Sequence, residues 1–170
     1  MANQKTQVFL MRCFFIALGI ALLIPVRLLA SPSEIYCMAE AIYFEARNQS
    51  LIGQIAVAIV VRNRMRDERY PSTACEVVRD GYYWKGNPIR NKCQFSYWCD
   101  GKPEITKDKK AWDKALSLAR FVYIDGIEIS GLGSATHYHT VWVDPKWAKE
   151  LNQCLVIGDH KFYDNRGREK

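Results

Sequence analysis

Ile35-Tyr-Cys-Met-Ala-Glu-Ala-Ile-Tyr-Phe-Glu-Ala-Arg-Asn48 is the stretch from which the rest of the chain can be read. Within it Ile35, Met38, Ala39, Ile42 and Ala46 recur at i, i+3, i+4, i+7 and i+11, forming one apolar stripe of a helix predicted over about 34–48. Glu45 stands three residues beyond Ile42 and seven beyond Met38, on the edge of the stripe that faces the core. A carboxyl group so placed is partly desolvated. Desolvation penalises the charged form, raises the pKa and keeps the proton on near neutral pH, so the group can hand it to a leaving oxygen. The next acid upstream, Glu40, is five residues away and about 140° round the helix, so no pair of carboxylates shares this face. A lone helical Glu is more often solvated or salt-bridged than catalytic, and the assignment leans on what surrounds it.

A second helix is predicted from Leu51 to about Glu68, with Ile52, Ile55, Ala56, Ile59 and Val60 on one face packed against the first, and Tyr70-Pro71 closing it. A short helical turn at Glu76–Arg79 leads into an aromatic stretch, 81–101, that reads as a loop. Its Tyr82, Tyr83, Trp84, Phe95, Tyr97 and Trp98 are candidate walls for a sugar groove, with some of them expected to fill core instead. A third helix, about Asp108–Ile124, is opened by Thr106 as N-cap and turns Ala111, Ala115, Leu118, Ala119 and Val122 inward. Ala135–Val143 alternates as a strand, Pro145–Leu151 makes a short helix, and Leu155–Ile157 with Lys161–Tyr163 forms a hairpin around Gly158-Asp159. The fold class is α+β, mainly helical, with a small β-hairpin.

The 170 residues divide into three parts. Residues 1–30 carry Lys5 and Arg12 ahead of the apolar run 13–26, then Arg27, and have the charge and length of a secretory signal peptide, with an uncleaved signal anchor as the other reading. Residues 31–163 make one domain, and 164–170 a polar tail. The formal charge of +6 includes Lys5, Arg12 and Arg27, leaving about +3 for the rest, a modest excess. Without a basic block or an aromatic-basic strand pattern, nucleic acid is excluded as a partner. The expected product is an exported monomer in the periplasm or cell envelope, possible anchoring to the inner membrane running through residues 13–26.

Glu45-Ala-Arg, Gly53-Gln-Ile-Ala-Val-Ala58, Asn63-Arg64, Tyr70-Pro71, Val77-Val78, Gln94-Phe95-Ser96 and Ile157-Gly-Asp-His-Lys-Phe-Tyr163 together resemble the SleB/CwlJ-type cell-wall hydrolases, over about Cys37 to Tyr163. The resemblance implies a lysozyme-like domain that cleaves peptidoglycan glycan strands between N-acetylmuramic acid and N-acetylglucosamine as a lytic transglycosylase, with Glu45 as the acid. One carboxylate suffices for that chemistry because the sugar's own C6 hydroxyl is the nucleophile, whereas a hydrolytic glycosidase normally needs a second group. The candidate substrate-binding residues are Gln94, Phe95, Ser96, Tyr97, His137 and His139, and no cofactor or metal is expected. Many members read Glu-Ala-Arg-Gly-Glu where this chain has Glu45-Ala-Arg-Asn48-Gln49, so an amide replaces the second Glu.

Cysteine usage suits export. The resemblance implies a Cys93–Cys99 bridge stiffening the Gln94-Phe95-Ser96 segment, and Cys37 with Cys75 is the second expected pair, leaving Cys154 as a thiol. No Cys-x-x-Cys pair supports structural zinc. His137 and His139 project from one face of a strand and, with Asp144, imitate a metal-enzyme spacing, so a metal-dependent wall amidase is the alternative. The preferred arrangement has both imidazoles lining the groove near Glu45 and Tyr138 turned the other way into the core. A catalytically silent peptidoglycan-binding module is the third reading.

Overall fold

The structure is a computed structural model, and it describes residues 31–165. The signal or anchor segment and residues 166–170 lie outside the described residues. Four helices form the body: α1 (Pro32–Ala46), α2 (Leu51–Met65), α3 (Ala74–Arg79) and α4 (Lys109–Asp125). A hairpin, β1 (Gly81–Trp84) and β2 (Asn87–Cys93), precedes a 3₁₀ turn at Ser96–Cys99. A three-stranded antiparallel sheet of order β3-β5-β4 closes the domain, from β3 (His137–Thr140), β4 (Asn152–Ile157) and β5 (His160–Asp164). The class is α+β and mainly helical, as the sequence predicts. The last strand takes in Asp164, one residue beyond the domain boundary read from composition.

α2 departs from the predicted amphipathic form. Val57, Ala58 and Val61 are as fully buried as Ile55, Ala56, Ile59 and Val60, while Ile52 is 48% exposed. It is a central helix packed by α1, α3 and α4, and each of its buried polar residues makes at least one hydrogen bond, although Arg62 Nε and one terminal nitrogen of Arg64 make none. Arg62 donates to the carbonyls of Val122 (3.3 Å) and Ile127 (2.7 Å), Arg64 Nε to the Thr136 carbonyl (2.8 Å), and Gln54 Nε2 to the Gln49 carbonyl (2.9 Å). The bonds of Arg62 and Arg64 fasten later segments of chain to α2, and that of Gln54 fastens the corner before it. The helix ends at Met65, where i→i+3 bonds from Arg66 and Asp67 tighten the last turn before Tyr70 is reached.

Within the 81–101 stretch, residues 81–93 form a hairpin rather than a loop. Lys85 and Gly86 both have positive φ (49° and 81°), the type I′ geometry whose twist matches the flanking strands. The cap of α4 lies two residues beyond the predicted Thr106: Asp108 accepts from Ala111 N at 3.0 Å, and Gly126 ends the helix at φ 68°. The bridges Cys37–Cys75 and Cys93–Cys99 are both formed, and Cys154 belongs to neither. The first ties α1 to α3, where Glu34 also accepts from the Cys75 N–H (3.3 Å).

Candidate active site

Glu45 occupies the last turn of α1, half-buried, where three elements meet. The 3₁₀ turn brings the Ser96 hydroxyl and the backbone N–H groups of Ser96 and Tyr97 to its carboxylate. Those N–H groups stand at the start of the turn, where the backbone offers them no partner of its own. β3 brings the Tyr138 hydroxyl to the same carboxylate. Burial raises the pKa of Glu45 above the ordinary carboxyl value, and the donors, Tyr138 foremost, hold back part of that rise by favouring the charged form. The group is thus able to lose a proton to a leaving oxygen and remain supported as an anion.

Glu45 lines a cleft of about 430 Å³ with Tyr43, Phe44, Ser96 and Tyr97. The opposite wall is the segment after the 3₁₀ turn, which contributes Asp100, Lys102, Glu104 and Lys107. Asp100 is engaged locally, accepting from Lys102 N at 2.7 Å. Tyr97 stacks on Phe44 with ring centroids 4.7 Å apart, and its phenol is pushed up by burial and then by the charges of Glu40 and Glu45. Glu40 is itself raised by burial, with Arg79 lowering it and Glu104 raising it.

Of the six predicted substrate-binding residues, Ser96 and Tyr97 line the cleft. Phe95 does not: it is 1% exposed and packs in the core beneath the Arg64 guanidinium, 5.2 Å from its ring. Gln94 is exposed and outside the cleft lining, its backbone N–H bonding the Asp80 carbonyl at the hairpin base (2.9 Å).

His137 and His139 are on the face of β3 turned away from Glu45, because the intervening Tyr138 is the residue that meets it. His139 Nδ1 bonds the Thr140 carbonyl (2.8 Å) and its Nε2 faces the Tyr163 hydroxyl (2.8 Å), while the ring stacks on Tyr163. His137 packs against Trp147 and Tyr70, and burial with the charges of Arg64 and Arg69 lowers its pKa to about 4. Among the described residues no three His, Cys, Asp or Glu side chains converge to hold a metal. The predicted orientation of β3 is therefore reversed. Alternation fixes that 137 and 139 share a face but not which face meets the helix, so the contact of Tyr138 with Glu45 is what sequence reasoning missed.

Arg64 lies behind this cluster, buried, with its charge acting on both Tyr138 and Glu45. Gln49 is the other residue whose role emerges only in three dimensions. Its Nε2 donates to Asp159 Oδ2 (3.0 Å) and its Oε1 accepts from Asp159 N (3.2 Å). The amide thereby holds the β4–β5 turn against the α1–α2 corner. An acid at position 49 would set a carboxylate against that of Asp159, which accounts for the amide.

Comparison with known proteins gives the family and the fold. The cell wall hydrolase family matches residues 48–163, a span that begins three residues after Glu45. Spore cortex-lytic enzymes of Bacillus cereus and Oceanobacillus iheyensis are 40% and 38% identical over 132 residues, 78% of this chain. The chain spans less than half the length of these relatives, 44% and 42%. The catalytic domain of the germination-specific lytic transglycosylase SleB from Bacillus anthracis superposes with a TM-score of 0.57 at 27% identity, covering 79% of this chain and 96% of that one. The catalytic domain of the Bacillus cereus SleB protein gives 0.56, again at 27% identity, covering 79% of this chain and 91% of that one. The chain belongs to the cell wall hydrolase family.

Proposed function

We propose that this protein is a peptidoglycan lytic transglycosylase acting outside the cytoplasm, with Glu45 as its single acid and base. The observation that carries the reading is the setting of Glu45: a carboxyl with a raised pKa, in the wall of a cleft, facing four donors that favour its anion. Glu45 protonates the oxygen linking N-acetylmuramic acid to N-acetylglucosamine, and the C1–O bond breaks as the N-acetylglucosamine hydroxyl leaves. The C6 hydroxyl of the muramic sugar then closes on C1 while Glu45, now the anion, takes its proton. The 1,6-anhydro product forms without water, and the acid is regenerated.

A hydrolytic outcome is the second reading, favoured by Glu104, which lines the same cleft and could take a proton from an attacking water. The alternative through His137 and His139 has less support, since both ring nitrogens of His139 are already hydrogen-bonded within the protein. Mass spectrometry of fragments released from purified sacculi by residues 31–170 separates the three. Anhydromuropeptides that persist in EDTA and vanish in Glu45→Gln are the expected result. Reducing muramic ends would transfer the reaction to hydrolysis, and metal-dependent release of free peptides would move the site to the histidines.

A further inference from the structure

The β1–β2 hairpin carries large apolar side chains that stay mostly exposed, with the Lys85 ammonium, 6.0 Å from the Trp84 ring centre, over one of them. Tyr82 and Trp84 are 72% and 70% exposed, and Ile89 on the paired strand is 40% exposed. Tyr82 and Trp84 flank Tyr83 on β1, whose pairing with β2 is irregular between Gly81 and Tyr83 and regular at Tyr83 and Trp84. Tyr83 is the anchoring residue: its hydroxyl donates to the Arg79 carbonyl (2.6 Å) and accepts from the Trp98 indole (2.9 Å). The Arg79 guanidinium lies 4.8 Å from the Trp98 ring, and the Cys93–Cys99 bridge clamps the hairpin to the turn that supplies Ser96 and Tyr97 to the cleft. The hairpin that carries the exposed side chains is therefore fixed to the turn that lines the cleft.

We propose that this hairpin is a second glycan-binding platform, on which a peptidoglycan strand lies outside the cleft through stacking on Tyr82 and Trp84. The inference rests on the reading of the substrate as peptidoglycan. Flat aromatic faces fixed on a strand match the apolar faces of pyranose rings. Lys85, Arg90 and Lys92 lie in the hairpin and no acid does, so the net charge of the hairpin suits the carboxylates of muramyl peptide stems. The hairpin tip, Lys85-Gly86-Asn87, is polar, which is unlike a loop built to enter a bilayer. The platform raises the residence of the enzyme on an insoluble polymer without taking part in bond cleavage.

The test uses the double variant Y82S/W84S. Sacculus binding is read by co-sedimentation in the Glu45→Gln background, and cleavage is read with Glu45 intact on sacculi and on a short soluble muropeptide tetrasaccharide. The expected result is sacculus binding weaker by about tenfold or more, slower release from sacculi, and an unchanged rate on the soluble fragment, which also reports that the variant folds. The conservative pair Y82F/W84Y should retain binding. Wild-type binding and clearance of sacculi by Y82S/W84S would overturn the platform and leave the cleft reading intact. Loss of binding only to vesicles of anionic phospholipid would overturn it in favour of a membrane surface. Sacculus binding that depends on Tyr82 and Trp84 without any glycan cleavage would keep the platform and overturn the proposed reaction.

Discussion

The Tyr138 hydroxyl donates to the Glu45 carboxylate, joining the middle of β3 to the last turn of α1 across the cleft wall. The bond favours the charged form of Glu45, opposing the rise that burial imposes. Tyr138→Phe should therefore raise the pKa of Glu45 further and move the basic limb of the kcat/KM profile to higher pH. The rate should fall by roughly 10–100-fold, the range for losing a hydrogen bond to a charged group. An unmoved limb would show that Tyr138 does not act on the acid.

Glu45→Gln should lower turnover on sacculi by about 10²–10⁴-fold or more, the usual contribution of a general acid. Its Tm should be unchanged or raised, because the variant no longer carries an ionisable group whose charged form burial disfavours. A large loss of Tm alongside the lost activity would point to a structural role.

Gln49→Glu restores the acid that many relatives carry, yet here it should destabilise the domain by roughly 1–2 kcal/mol at pH 7 through the lost donation to Asp159 Oδ2 and the repulsion between the two carboxylates, while the bond accepted from Asp159 N can persist. The penalty should shrink as pH falls and the carboxyl groups protonate. Adding Asp159→Asn should recover both stability and activity, and a double-mutant cycle in urea measures the coupling.

His137 is held to a pKa of about 4, below the roughly 6.5 of an unfolded chain, so between those values the unfolded state binds more protons. Its contribution to stability is present above about pH 6.5 and is lost as pH falls toward 4. His160 is shifted in the same direction by burial. Urea midpoints measured from pH 7 to 4 should fall less steeply in His137→Phe than in the wild type.

The two bridges should separate stability from activity. Cys37–Cys75 closes a loop of sequence separation 38 and Cys93–Cys99 one of only 6, so chain entropy assigns about 4 and about 2 kcal/mol respectively. Replacing both cysteines of the first by Ala should cost more Tm. Replacing those of the second should cost more activity, because that turn presents Ser96 and Tyr97 to Glu45. Melting curves and sacculus assays on the two variants check this.

Much of the design is legible in local sequence. The 3.6 period around Glu45 placed the acid at the edge of a buried stripe, and its raised pKa follows from that position alone. The turn Gly158-Asp159 and its flanking strands were readable from alternation, as was the third helix apart from its cap. These are properties of neighbours in sequence, set by backbone geometry and the burial of one face.

What the tertiary structure decided is which surfaces meet. The period of α2 could not reveal burial on every side, because that depends on how many helices surround it. Alternation along β3 left two faces equivalent until packing turned Tyr138 toward Glu45 and the histidines toward Trp147 and Tyr163. Gln49 and Asp159, 110 residues apart, carry no mutual signal in one sequence and become partners only when α1 and the last hairpin close on each other. Sequence specified the acid, through local burial; the donors that control it come from distant segments, and long-range packing alone selected them.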